Sequence, residues 1–259
     1  MHRIQPSAKP FPAPTIESTF RVESALFSTA SCDTIHALFA PLHYERRYEY
    51  PLIVWLHNQR GDERQLVRVM PLVSMRNYVA IAPRGCCLHG EEETTAKGYG
   101  WRQSDEHIQQ AEKRVFDSIE IAAEKFHIGR GRVFLAGFDV GGTMALRLAM
   151  NRPDRFAGVL SLCGAFPAGG TPLSNLAAAR HLPIFLAVGR HSREYPAVEV
   201  CENLRLLHTA GMSVTLREYP CGQELTAHML ADVDRWIIDQ ITGGSSAPPP
   251  HHSWPCQSE

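Results

Sequence analysis

The chain has 259 residues and a formal net charge of −1, with 26 basic against 27 acidic residues. This balance argues against a strongly basic surface for nucleic acid or an anionic membrane. No apolar run approaches the roughly 20 residues of a membrane-spanning helix, and the hydrophobic share of 44% suffices for the core of one sizeable domain.

The cysteines and the N-terminal segment indicate in which cellular compartment the protein is expected. The segment MHRIQPSAKPFPAPT has no apolar stretch of the kind found in secretory signals. Seven cysteines at irregular spacing fit neither a disulfide framework nor a four-cysteine zinc site. We therefore expect a cytoplasmic protein with reduced thiols and with neither a metal nor a cofactor.

Composition divides the chain into three parts. Residues 1–17 are rich in proline and are predicted to form an extended lead-in. Residues 242–259, rich in Gly, Ser and Pro, are predicted to form a disordered tail. Residues 18–241 remain as the predicted folded domain.

Within this domain short apolar runs alternate with helical patterns. The predicted strands are Phe20–Phe27, Thr34–Ala40, Leu52–Leu56, Tyr78–Ala82, Val133–Ala136, Gly158–Leu162, Ile184–Val188 and Val214–Tyr219. The predicted helices are Glu63–Met75, Ser104–Phe126, Gly142–Met150, Ala197–Ala210 and Glu224–Ile241. Such alternation is typical of an α/β fold, with a mostly parallel sheet covered by helices on both faces. Ligands of these folds bind at the carboxyl ends of the strands.

One strand end carries a glycine-rich turn, the segment GFDVGG at 137–142. Its pattern of strand, Gly-x-Asp-x-Gly and helix is that of the nucleophile elbow of α/β-hydrolases, with Asp139 in place of the usual serine. The reversal needs Gly137 and Gly141, since side chains there would collide with the neighbouring backbone. The amide of Val140 would then be able to donate to an oxyanion.

Three further segments follow predicted strands in the order of that fold. They are LHNQRG at 56–61, GRHSREYP at 189–196 and YPCGQEL at 219–225. Together with the elbow they resemble the phospholipase/carboxylesterase branch of α/β-hydrolases, which includes the acyl-protein thioesterases, over roughly 35–241. The resemblance implies an α/β-hydrolase fold without a large cap domain, and Gln59 as the source of the second oxyanion amide.

The same resemblance implies a Ser-Asp-His triad, and here all three positions differ. The nucleophile, acid and base positions hold Asp139, Ser192 and Gln223. Glutamine cannot take a proton near neutral pH, and a carboxylate at 139 would oppose a developing oxyanion. We therefore expect serine-esterase activity to be lost or vestigial and the pocket to be kept for binding a small ester-like or acyl ligand, in a monomer or homodimer.

Two catalytic alternatives stay open. The first is a carboxylesterase or thioesterase with an unrecognised base. The second is a hydrolase of dehalogenase or epoxide hydrolase type with Asp139 as the nucleophile, although the water that releases its ester also needs a base. Arg60, Arg84, His191 and His228 are the side chains whose distance from Asp139 the sequence leaves open.

Overall fold

The computed structural model describes residues 27–30, 35–88, 98–169 and 175–243. The predicted lead-in (1–17), most of the predicted strand Phe20–Phe27 and all but the first two residues of the predicted tail (242–259) lie outside the described residues.

Ten strands and six helices follow one another in these residues. The strands are β1 (Phe27–Ala30), β2 (His36–Phe39), β3 (Tyr50–Leu56), β4 (Val79–Pro83), β5 (Cys86–Leu88), β6 (Gly98–Gly100), β7 (Ile128–Phe138), β8 (Gly158–Leu162), β9 (Ile184–Gly189) and β10 (Val214–Tyr219). The helices are α1 (Gln65–Val73), α2 (Asp105–Lys125), α3 (Val140–Asn151), α4 (Leu176–Ala179), α5 (Ala197–Thr209) and α6 (Ala227–Thr242).

Eight of the described strands form one sheet in the order β1-β2-β4-β3-β7-β8-β9-β10. The pairs from β4 through β3, β7, β8 and β9 to β10 are parallel. Strand β2 is antiparallel to both β1 and β4. The prediction of a mostly parallel α/β sheet is confirmed, and the carboxyl ends of its parallel strands meet at one edge.

Helices cover both faces of the sheet, as β3 illustrates. Every residue of β3 is buried, because alternate side chains of a strand enter opposite cores. Leu52 and Val54 belong to the core under α2 and α3, whereas Ile53 and Trp55 belong to the core under α1 and α6. The described residues hold no separate cap domain, and none of their helices is both long and apolar enough to cross a membrane.

The structure differs from the sequence prediction at several boundaries. Strand β1 ends at Ala30, three residues after the predicted end at Phe27, and helix α6 begins at Ala227 rather than Glu224. Strand β7 begins five residues earlier than predicted, at Ile128 instead of Val133. The hairpin of β5 and β6 was not predicted, since three-residue strands of Cys-Cys-Leu and Gly-Tyr-Gly carry no period-two pattern.

Candidate functional site

A sharp turn between β7 and α3 carries Asp139. Its φ of 56° lies in the left-handed region, which L-residues other than Gly, Asn and Asp rarely adopt. A Cβ at Gly137 would strike the backbone of Gly141, and a Cβ at Gly141 would strike the carbonyl oxygen of Leu56. The two glycines therefore permit the close approach of strand and helix that the turn requires, as the sequence indicates.

The carboxylate of Asp139 accepts hydrogen bonds from two glutamines. The backbone N–H of Gln59 donates to its Oδ2 at 3.0 Å, and the side-chain Nε2 of Gln223 donates to its Oδ1 at 3.3 Å. Across the described ranges, Asp139 forms no ion pair. The backbone amide that the resemblance assigns to an oxyanion thus already holds a negative charge of the protein itself.

Gln223 links Asp139 to Ser192. Its Nε2 also donates to the carbonyl oxygen of Cys163 at 2.6 Å, and its Oε1 accepts from the Ser192 hydroxyl at 2.8 Å. The amide orientation is fixed by these partners, because a carboxylate and a carbonyl oxygen can only accept. The N–H of Tyr195 donates in turn to Ser192 Oγ at 3.1 Å.

The three predicted site side chains therefore form one chain of hydrogen bonds, in which Ser192 donates to Gln223 and Gln223 donates to Asp139. No proton can pass along this chain, since the amide of Gln223 neither gains nor loses a proton near neutral pH. Val140 begins α3 beside Asp139. The oxyanion roles of Gln59 and Val140 stay predictions, as do the triad positions.

His57 supports the loop that carries Gln59. The N–H of Gly85 donates to His57 Nε2 at 3.0 Å, so Nδ1 carries the proton and donates to the carbonyl of Asn58 at 2.9 Å. Burial is the main reason why the pKa of His57 lies below its ordinary value. This imidazole is neutral and fully engaged, and it is not poised to act as a base for the site.

Arg84 pairs with Glu63 rather than with Asp139. Its Nε and Nη2 each donate to a carboxylate oxygen of Glu63 at 2.6 Å, a bidentate pair. Glu63 is only 1% exposed; its burial raises the pKa, but the hydrogen bonds and charge of Arg84 outweigh burial and hold the pKa below its ordinary value. No sequence pattern indicates this pair, because apolar spacing says nothing about ionic partners.

The other side chains left open by the sequence take no part in the hydrogen-bonded chain. Arg60, His191 and His228 are exposed. In the part of the chain that the structure describes, none of them makes an ion pair with Asp139. Within the same residues no three His, Cys, Asp or Glu side chains cluster so as to hold a metal ion.

Cys163, whose carbonyl holds Gln223, also brings a thiol near the elbow. Its side chain is 1% exposed. Burial is the main cause that raises the pKa of the Cys163 thiol to about 12. Because only the thiolate is a strong nucleophile, this cysteine is a packing residue. Its contribution to the site is the backbone carbonyl, which sequence reasoning did not single out.

Comparison with known proteins agrees with this architecture. The model of the phospholipase/carboxylesterase family matches residues 52–241 of the chain. The chain is 24% identical over 199 residues to "Putative hydrolase MhqD" of Bacillus subtilis, an alignment that covers 76% of this chain and 98% of that protein.

Solved structures show the same fold. A carboxylesterase from Mesorhizobium loti superposes with a TM-score of 0.66 at 17% identity, covering 82% of this chain and 99% of that one. The Bacillus cereus carboxylesterase superposes with a TM-score of 0.63 at 18% identity, covering 80% and 95%. With the family match spanning most of the domain, the α/β-hydrolase fold and its strand-end site have a common explanation: the chain belongs to the phospholipase/carboxylesterase family.

Proposed function

We propose that this protein is a non-catalytic member of the phospholipase/carboxylesterase family, whose site at Asp139 is kept for binding a small molecule. In this proposal Asp139, Ser192 and Gln223 occupy the nucleophile, acid and base positions of the triad. Hydrogen bonds from Ser192 to Gln223 and from Gln223 to Asp139 follow the order acid, base, nucleophile of such a triad and support it.

One observation carries the proposal: the N–H of Gln59 donates to the carboxylate of Asp139. Ester hydrolysis needs such an amide free, so that it can stabilise the negative charge that develops on the carbonyl oxygen of the substrate. Here the amide is engaged by a charge that is already present. That charge would also repel the developing oxyanion, so the transition state would be destabilised twice.

Proton transfer is the second missing component. A serine or water nucleophile needs a base that accepts its proton, and the amide of Gln223 cannot accept one near neutral pH. Its neutral neighbour Ser192 cannot stabilise an imidazolium as a triad carboxylate would. Because the triad acts as a unit, restoring one member alone is expected to recover little activity.

The test is an assay with p-nitrophenyl esters of short and medium acyl chains. We expect the wild-type protein to fall more than about 100-fold, or about 3 kcal/mol in activation free energy, below an ordinary esterase. Turnover nearer to that of an esterase would overturn the proposal and favour an unrecognised base. The triple variant Asp139→Ser, Ser192→Asp, Gln223→His is expected to gain activity.

A matched control separates the oxyanion site from the base. The double variant Ser192→Asp, Gln223→His keeps the carboxylate at 139 and should stay inactive toward esters, while its circular dichroism matches that of the triple variant. Mass spectrometry after incubation with an alkyl halide or epoxide tests the remaining alternative. An adduct on Asp139 would support a nucleophilic aspartate and would contradict a purely binding role.

A further inference from the structure

We propose that the site at Asp139 binds a ligand through a protonated primary amine, which donates hydrogen bonds to the Asp139 carboxylate. The inference rests on the proposed function, since a carboxylate that does not attack a substrate is free to act as a binding group. The ammonium group of this ligand donates hydrogen bonds, whereas the acyl head group expected from the sequence would accept them.

The carboxylate of Asp139 has acceptor capacity that the described residues do not use. Two oxygens of an ionised carboxyl offer about four acceptor positions. Residues of the described ranges fill one on each oxygen, from Gln59 and Gln223. Asp139 is only partly buried, so a ligand can reach it, and what it can still offer is acceptance, never donation.

Among the described residues, the charge of Asp139 has no cationic partner. The cations at the neighbouring strand ends are already paired, Arg84 with Glu63 and Arg190 with Glu218, each at 2.6 Å. Arg60 is exposed, and in the described residues it forms no ion pair with Asp139. The negative charge at the elbow is therefore open to a cationic ligand, and an ammonium group supplies both the opposite charge and three N–H donors.

The same geometry disfavours ligands whose head group only accepts hydrogen bonds. A carbonyl or carboxylate head group bound by the N–H of Gln59 would have to displace Asp139, which engages that N–H at 3.0 Å. It would also place an acceptor against the oxygens of Asp139, leaving both without a donor. Esters and anions are thus disfavoured at the same point where an ammonium is favoured.

Isothermal titration calorimetry on the full chain at pH 7 and low salt tests the inference with four probes of similar shape: n-hexylammonium, 1-hexanol, hexanoate and methyl hexanoate. We expect saturable one-to-one binding of n-hexylammonium, and at least about tenfold weaker binding of the other three, as befits a charge-assisted hydrogen bond. Equal binding of the alcohol or the ester, or no binding of the ammonium, would overturn the inference.

Two variants locate the binding group. Asp139→Asn keeps the shape of the side chain but not its charge, and should weaken binding of n-hexylammonium about 10- to 100-fold. Asp154→Asn, at an exposed aspartate in the turn after α3, should leave it unchanged. Unaltered binding to Asp139→Asn would contradict the inference, and if that variant does not fold, the four-probe comparison on the wild-type protein still decides.

The two proposals fail separately. Ester turnover by the wild-type protein overturns the proposed function whatever the ligand. Absence of both turnover and ammonium binding overturns only the ligand class and leaves a non-catalytic protein with another ligand.

Discussion

At the scale of single residues, Gln223 holds the site together more than any other side chain. Its amide contacts three segments of the chain through Asp139, Ser192 and the carbonyl of Cys163. A histidine has only two ring nitrogens, so it could not donate to Asp139 and to the Cys163 carbonyl while also accepting from Ser192. The replacement therefore forms a polar network in which both N–H groups and the oxygen of the amide are engaged, and this network stabilises the loops it joins.

We predict that Gln223→Ala lowers the free energy of unfolding by about 1–3 kcal/mol, because it leaves the Ser192 hydroxyl and the Cys163 carbonyl without their partner. Urea unfolding followed by circular dichroism measures the loss. Gln110→Ala, at an exposed glutamine of α2, is the control and should stay within about 0.5 kcal/mol. Equal effects of the two substitutions would mean that the network adds no stability.

The buried pair of Glu63 and Arg84 predicts a dependence on pH. The pKa of Glu63 is lowered in the folded protein from an ordinary value of 4.5. The stability that its ionised form contributes is thus fully present above pH 4.5 and is lost as the pH falls from there through the lower folded-state pKa. Glu63→Gln, which mimics the protonated carboxyl, should lack this contribution throughout.

The measurement is urea unfolding of the wild-type protein and of Glu63→Gln between about pH 7 and 3. We expect a deficit of about 1–3 kcal/mol in the variant at pH 7, which narrows below pH 4.5. Glu106→Gln, at an exposed residue of the first turn of α2, serves as the control. A gap that stays constant down to pH 3 would show that the pair is not the source of the stability.

At the scale of elements, the elbow depends on contacts between backbones. A Cβ at Gly141 would meet the carbonyl oxygens of Leu56 and His57, which belong to β3 and to the loop after it. Backbone atoms of a central strand cannot move aside as the end of a flexible side chain can. The packing of α3 on the sheet, and with it the place of Asp139, thus depends on the absence of one methyl group.

Gly141→Ala is therefore expected to cost about 3 kcal/mol or more in the free energy of unfolding. Gly222→Ala is the matched control, since a Cβ there meets no atom within 4 Å, and we expect it to be nearly neutral. Thermal and urea unfolding of both variants provide the comparison. A Gly141→Ala variant as stable as the wild type would mean that strand and helix can separate without penalty.

Much of the sheet was predictable from the sequence, for reasons visible in particular strands. The run LIVWL in β3 is buried on both faces, and only a central parallel strand needs such a pattern. The first part of β7, IGRGR, is polar, so hydrophobicity gave no sign that pairing extends there. Strands β5 and β6 are held by backbone pairing of three residues each, which leaves no trace in side-chain type.

The site was predictable in outline for a different reason. Positions 139, 192 and 223 follow three parallel strands, and topology alone brings such positions to one edge. The hydrogen bonds among them depend on rotamers and on a carbonyl, that of Cys163. Neither is encoded in residue type at a given spacing, so the direction of donation and the engagement of the Gln59 amide had to be read from the structure.

At the scale of the whole molecule, α6 completes the core on one face. Trp236 of α6 is 7% exposed. Its ring packs against Phe134 of β7 and Phe185 of β9, at centroid distances of 6.3 and 5.7 Å. Gly158 of β8 leaves room for this indole, since a Cβ there would approach it to 2.8 Å. The last helix thus packs across three strands of the sheet.

Trp236→Ala should lower the free energy of unfolding by about 3–5 kcal/mol, because it leaves a large cavity between helix and sheet. Leu206→Ala in α5, at a side chain that is 44% exposed, should cost less than about 0.5 kcal/mol. Differential scanning calorimetry of the two variants makes the comparison. Similar melting temperatures would contradict a core that depends on α6.

The left-handed backbone at Asp139 has one more consequence. With φ held at 56° and one oxygen fixed by Gln59 and the other by Gln223, the carboxylate is preorganised, and an incoming guest need not immobilise it. A carboxylate held in this way favours directional hydrogen bonds over purely electrostatic attraction. Tetramethylammonium, which carries the same charge but no N–H bond, should therefore bind more weakly than a primary ammonium ion.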